Sequence, residues 1–230
     1  QYEYNFRIDT KICQDPYARG LAGRETFGRV SEDKDEHRIR CSFPNLREYN
    51  WEGDVSPGIS YQDMILYKVH VRGYTRQAKV APKKRGTFAG LKEMIPYWKE
   101  LGINAVELMP AYEFMERSIV EPGKAMIRQK HHKDKVNYWG YLPGFYFAPK
   151  SAYCATKKPH KEFCDMVRAF HEAGIECIME MYFPADTAPM KALYALWFWK
   201  KYYHVDGFHL LGDGVPGELI ERDPFLYGVK

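Results

Sequence analysis

Hydrophobic and polar positions change their period along this chain, and the changes mark its structural boundaries. Over the first dozen residues the period is two: Tyr2, Tyr4, Phe6 and Ile8 alternate with Glu3, Asn5, Arg7 and Asp9. That alternation predicts a half-buried strand. A lone strand cannot bury its own face, so this one reads as the last strand of a preceding domain. Asp15-Pro16-Tyr17 breaks it. From Ala18 to about Gly58 the chain is rich in Gly, Pro and charge without a sustained period. That composition predicts a linker wrapping a surface, with one short apolar strand near 37–43.

From Asp63 onward strands and helices alternate. Residues 64–71 form a nearly continuous apolar run, as expected of a strand covered on both faces. Thr87 is placed to cap a helix running to Leu101, in which Pro96 should kink or end the first half. Residues 103–109 read as the next strand, followed by a long polar loop from Pro110 to about Asn137. A helix over 160–173, a strand over 175–183, a helix over 190–203 and a strand over 205–211 complete the pattern. Four strands alternating with three helices predict an α/β fold with a parallel sheet. Both a doubly wound sheet and a (β/α)8 barrel fit.

Composition narrows the partners. Hydrophobic residues make up 45% and charged residues 28% of 230, as in an ordinary globular chain. A formal charge of +4 is too mild to demand a nucleic-acid or membrane partner. The basic clusters at Lys83-Lys84-Arg85 and 130–135 read as solvated loops. His131 and His132 are adjacent and lack a spaced third ligand, so no metal site is expected there, and no cofactor. Cys13, Cys41, Cys154, Cys164 and Cys177 form neither a CxxC pair nor a disulfide framework. Cys164 and Cys177 fall in segments that read as buried helix and strand. This usage favours a reducing, cytoplasmic compartment. No apolar run approaches the roughly 18–20 residues of a membrane span.

Five blocks, in order, resemble a known family. Asp15-Pro16-Tyr17-Ala18-Arg19 resembles the exit from the family 48 carbohydrate-binding module of isoamylases, pullulanases and branching enzymes. Residues 67–75, reading from Tyr67-Lys68-Val69-His70 to Thr75, resemble their first barrel strand. Residues 86–91, with Leu101-Gly102-Ile103-Asn104-Ala105-Val106-Glu107-Leu108-Met109-Pro110, resemble the following helix and second strand. Asn137-Tyr138-Trp139-Gly140-Tyr141 with Phe147-Ala148-Pro149 resembles the loop shaping the sugar subsite beside the scissile bond. His204-Val205-Asp206-Gly207-Phe208 resembles the fourth strand. The chain is similar to the α-glucan debranching enzymes of glycoside hydrolase family 13.

The resemblance implies a fold and a reaction. Residues 63–230 would be the first half, about four βα units, of a (β/α)8 barrel. Residues 1–17 would be the remnant of a carbohydrate-binding β-sandwich and 18–62 a linker. A half-barrel leaves strand edges exposed, so self-association is expected. Family members cleave or transfer α-1,4 or α-1,6 glucosidic bonds with retention. A carboxylate on the fourth strand attacks, and an acid on the fifth, beyond Lys230, assists; the two groups stand about 5–5.5 Å apart.

The residues that should carry this chemistry are substituted. Where the family has Gly-Phe-Arg-x-Asp on the fourth strand, this chain has Gly207-Phe208-His209-Leu210-Leu211. His209 takes the arginine position and Leu211 the nucleophile's, and leucine has no lone pair with which to attack. On the third strand Glu180 keeps a carboxylate, whereas Pro184 and Ala185 replace a family Asn and His. Asp213 would share a strand face with 209 and 211, displaced by roughly 6.6 Å, and could act with Glu180 as a moved carboxylate pair. Gly212 and Gly214 fit better a turn with Asp213 at its tip. Tyr141 takes the family's sugar-stacking position with Trp139 supporting it, or both are rim packing. His70 and Arg72 read as braces, Asp206 as structural, and His209 as a satisfied interior histidine. The substrate class is α-glucan, and three readings stand: glucan recognition without hydrolysis, hydrolysis by displaced carboxylates, and a structural half-barrel that binds a partner.

Overall fold

A computed structural model describes residues 2–28, 38–116 and 136–230 of the chain. The basic run at 130–135, with His131 and His132, lies outside the described residues.

The N-terminal alternation does not yield one strand. It divides at Asn5 into β1 (Tyr2–Tyr4) and β2 (Phe6–Ile8), and β2 turns through Asp9, at φ 52°, to pair with β3 (Lys11–Cys13). β1 instead joins β4 (Leu21–Ala22) and β5 (Arg40–Phe43) in an antiparallel sheet with β5 at its centre. The face expected to be half-buried is open, with Tyr2 86% and Ile8 62% exposed. Period two identified extended chain correctly but did not identify what covers it. The stretch after Pro16 is better anchored than a loose wrapping. Ala18, Leu21 and Cys41 form a small buried cluster, and the Ser151 hydroxyl donates to the Leu21 carbonyl at 2.8 Å.

The larger unit runs β6 (Leu66–Val69), α1 (Val71–Tyr74), α2 (Phe88–Lys92), α3 (Ile95–Glu100), β7 (Ala105–Leu108), β8 (Tyr112–Phe114) and β9 (Gly144–Pro149). It continues through α4 (Pro159–Glu172), β10 (Glu176–Tyr182), α5 (Pro189–Tyr203), β11 (Gly207–Leu211) and α6 (Gly217–Glu221). Strands β6, β7, β10 and β11 lie side by side in that order, all parallel. Each new strand joins the same edge, without the reversal that defines a doubly wound sheet. The order is compatible with a barrel wall.

Strand pleating sorts the side chains. Val106, Leu108, Cys177, Met179 and Met181 share one core with Phe163, Val167 and Phe170 of α4 and Leu196 and Trp199 of α5. The alternate positions, Glu107 and Glu180, belong to the opposite face. All five cysteines are free, Cys164 and Cys177 fully buried, and burial pushes the Cys177 thiol well above its ordinary value. Among the described residues no helix is long and apolar enough to cross a membrane.

Two expectations need adjustment, for β6 and for the polar loop, whereas the break expected at Pro96 is present. β6 is not covered on both faces: it is the edge strand, and Ile65 and Leu66 are 54% and 44% exposed. The helix begun at Thr87 is two helices, with Pro96 in the first turn of α3, where no N–H is required of it. The polar loop after Pro110 opens with β8, which pairs antiparallel with β9 and is buried throughout. Its Glu113 could be buried because cations from distant sequence meet it, Lys150 at 3.0 Å and Arg24 at 3.4 Å.

The cap at Thr87 forms as its sequence suggests. Its hydroxyl accepts from the Gly90 amide at 3.2 Å and donates to the Lys84 carbonyl at 2.7 Å. Thr87→Ala should therefore cost roughly 0.5–2 kcal/mol of stability, measured as a lowered urea midpoint at unchanged slope. An unchanged midpoint would show the cap to be dispensable.

Candidate functional site

Four neighbouring strands each send one ionisable side chain to a common point. Lys68 on β6 pairs in register with Glu107 on β7, and Glu180 on β10 pairs with His209 on β11. Glu107 and Glu180 are buried, whereas the Lys68 and His209 side chains are 44% and 48% exposed. The Lys68 ammonium is ion-paired with Glu180 and lies 3.4 Å from Glu107 Oε1. His209 Nδ1 is 3.0 Å from Glu107 Oε1 and 3.6 Å from Glu180 Oε1. His209 is therefore partnered, as expected, but it is not interior: it stands at the open side of the cluster.

The electrostatics divide the two carboxyls. Burial raises Glu180, and its hydrogen bond with Glu107 raises it further, outweighing Lys68 and Tyr141. Burial also opposes ionisation of Glu107, but hydrogen bonds from Glu180 and His209, with the His209 and Lys68 charges, hold it below the ordinary carboxylate range. Of the two carboxyls, Glu180 takes up a proton the more readily. Burial lowers the Lys68 ammonium, but the Glu180 carboxylate ion-paired with it outweighs burial and raises it.

Tyr141 reaches this cluster from the loop before β9. Its hydroxyl donates to Glu180 Oε2 at 2.8 Å, and burial followed by that bond pushes its pKa up to about 12. Its ring meets Tyr182 edge-on at 6.4 Å. Trp139 is elsewhere: 54% exposed, it stands edge-on to Tyr138 and His70. His70 braces that loop. It caps α1 by accepting from the Gly73 amide at 3.0 Å, bonds the Tyr138 carbonyl at 2.8 Å and stacks on the Tyr138 ring. Arg72 lies over the Phe27 ring at 4.9 Å. Asp206 accepts from the Cys177 amide at 2.7 Å and from His171 at 3.0 Å, a structural role.

The positions that resemblance made catalytic are apolar or turned away. Leu211 is the last residue of β11, in register with Tyr182. Asp213 does not continue the face of 209 and 211. Gly212, at φ 93°, ends the alternation, and Asp213 is exposed in the turn that follows. The two glycines serve that turn: a Cβ at Gly212 would stand 2.3 Å from the Phe183 carbonyl oxygen, and one at Gly214 only 2.0 Å from that of Pro184. Asp213 is not among the groups gathered around Glu180, and Pro184 and Ala185 add no polar side chain there.

Of the four charged residues in the cluster, Glu180 and His209 were visible as substituted family positions. Lys68 and Glu107 were missed. The signal was present, since each interrupts an otherwise apolar strand with a charge. A buried carboxyl pair beside an ammonium and an imidazole can hold sugar hydroxyls, pass protons or bind a cation.

No protein-family model matches the chain. Chloroplastic isoamylase 1 of Arabidopsis thaliana is 32% identical over 187 residues, 78% of this chain and 23% of that protein. A glycogen operon protein GlgX homologue of Haemophilus influenzae is 35% identical over 199 residues, 79% of this chain and 29% of that protein. The chain spans about a quarter of the length of these relatives. Among solved structures, the catalytic module of the glycogen-degrading pneumococcal virulence factor SpuA superposes with a TM-score of 0.66 at 19% identity. It covers 91% of this chain and 36% of that one. The Group B Streptococcus pullulanase SAP, solved with maltotetraose, gives 0.63 at 20% identity, over 91% and 33% of the two chains. At such identities the structures establish the α/β fold, and the sequence relatives carry the kinship. The chain belongs to the debranching-enzyme side of glycoside hydrolase family 13, with the isoamylases and glycogen debranching enzymes.

Proposed function

We propose that this chain recognises α-glucan and does not hydrolyse it by the family's carboxylate attack. The observation that carries the reading is Leu211 at the tip of β11, an apolar side chain where the nucleophile belongs. Recognition rests on Tyr141, half-buried beside Glu180, whose ring takes the family's stacking position. Relatives named as debranching enzymes, and a pullulanase solved with maltotetraose, support glucan as the ligand class. In this reading residues 63–230 are the first half of a (β/α)8 barrel, 1–17 the end of a carbohydrate-binding module and 18–62 the linker. The exposed edge of β6 favours self-association, and five free cysteines fit a reducing, cytoplasmic setting.

Calorimetry with maltotetraose, beside turnover assays on pullulan, glycogen and starch, tests the reading. Binding without turnover is expected, weakened roughly tenfold by Tyr141→Ala and much less by Tyr141→Phe, which keeps the ring. A displaced-carboxylate hydrolase requires turnover that Asp213→Ala abolishes, and that result would overturn the proposal. Absence of glucan binding would leave the partner-binding half-barrel in its place.

A further inference from the structure

Among the described residues, Glu107, Glu180 and His209 each bring a donor atom to within 4.8 Å of the others. We propose that these three bind a divalent transition-metal ion, best fitted by zinc, where β7, β10 and β11 lie side by side. His209 Nδ1 stands 3.0 Å from Glu107 Oε1 and 3.6 Å from Glu180 Oε1. A tetrahedral zinc with ligands about 2.1 Å away holds those ligands roughly 3.4 Å apart. The two separations from His209 bracket that value, and the third, between the carboxylates, lies within 4.8 Å. One imidazole and two carboxylates suit zinc and leave a fourth position open.

A second observation is independent of that spacing. Glu180 is fully buried, and its Oε1 accepts no aligned hydrogen bond. It faces the Lys68 ammonium, an ion pair without hydrogen-bond alignment, and His209. The site is thus built around positive charge at this point, and Lys68 occupies it. Lys68 is also the most readily withdrawn member: its side chain is 44% exposed, and its four-carbon stem can carry the ammonium into water. A divalent ion balances both carboxylates, whereas one ammonium balances one. The ligands come from adjacent strands of a parallel sheet, and the Tyr141 hydroxyl fixes the Glu180 carboxyl at 2.8 Å, so the geometry is held from behind. The position that resemblance gives to an arginine, which has no lone pair to offer, holds a histidine here.

Titration with zinc chloride by calorimetry, and with cobalt chloride by visible absorption, tests the site in the wild type, His209→Ala and Lys68→Met. Stoichiometric zinc binding is expected in the wild type and its loss in His209→Ala. Lys68→Met should bind roughly tenfold tighter, because an opposing charge has left a partly screened site. Cobalt should give the intense visible bands of a four-coordinate ion, absent in His209→Ala. Zinc affinity unchanged by His209→Ala overturns the site, as does failure of the wild type and Lys68→Met alike to bind. If His209→Ala does not fold by its melting curve, Lys68→Met decides alone: unaltered affinity there overturns the proposal.

Discussion

Lys150→Met should destabilise the chain by about 3–5 kcal/mol, the cost of breaking a buried ion pair from one side. Lys150 is fully buried at the end of β9. Its ammonium reaches Glu113 Oε1 at 3.0 Å, the Phe114 carbonyl at 2.9 Å and Glu116 Oε1 at 2.7 Å, the last as an ion pair without hydrogen-bond alignment. It also lies 3.9 Å over the Phe114 ring. Arg24 brings the second cation, 2.6 Å from Glu116 and 2.7 Å from the Phe114 carbonyl. Two cations thus meet two carboxylates out of water. Methionine matches the lysine stem in bulk but leaves Arg24 as the one cation facing the two buried carboxylates among the described residues. Urea unfolding followed by fluorescence measures the loss. Lys150→Met combined with Glu113→Gln should recover part of it, since one unpaired charge goes with its partner. A single-mutant cost below about 1 kcal/mol would mean that water reaches the cluster, contrary to its burial. The effect should extend to ligand binding. The hydroxyl of Tyr112 on β8 donates to the Gly140 and Leu142 carbonyls at 3.3 and 3.1 Å, on either side of Tyr141. Loosening the hairpin therefore loosens the proposed sugar platform.

That cluster also marks where reading the sequence reached its limit. Helices α4 and α5 and strands β7, β10 and β11 were legible because each has its own apolar period and its own stop, such as Gly102 and Gly174 in left-handed turns. β8 was not. Its partner lies some thirty residues on, and Glu113 looks like loop chemistry until Lys150 and Arg24 arrive from either side. The functional cluster was half legible for the same reason. Substitution at 209 and 211 could be read against a pattern, but the meeting of Lys68, Glu107, Glu180 and His209 is a consequence of strand register, which no local signal encodes. The turn expected at Asp213 between two glycines is present, and Gly212, whose positive φ turns the chain before 213, makes it.

The second large effect expected is a loss of stability at alkaline pH that passes through His171. Its side chain is 2% exposed, with Nδ1 2.9 Å from Asp54 and Nε2 3.0 Å from Asp206. Burial alone would lower its pKa, but the hydrogen bonds and charges of Asp206 and Asp54 outweigh burial and raise it. Both ring nitrogens face carboxylates, so the imidazolium is the form that satisfies the site. The folded state holds this proton more tightly than the unfolded chain. Below the unfolded value, near 6.5, the stabilisation is fully present; it drains away as pH rises through the higher folded value. The consequence is specific in space. Asp54 also accepts from His204 Nδ1 at 2.6 Å, and Trp51 stacks on the His204 ring at 3.9 Å, so this network fastens the chain around 50–56 across α4 and the end of α5. Asp206 meanwhile ties the start of β11 to β10 through the Cys177 amide. His171→Gln should cost roughly 3 kcal/mol at pH 6 and progressively less above it, because the wild type falls toward the variant. Melting curves of the two proteins from pH 5.5 to 9, at roughly half-unit steps, give that difference directly. His70 and His160 have lowered values from burial and act with the opposite sign, costing stability below 6.5 and nothing above it, but they are shared by both proteins and cancel. A wild-type minus variant difference that stays flat across this range would mean that His171 is neutral in the fold, and the clamp would then be a hydrogen-bond bridge without an ionic part.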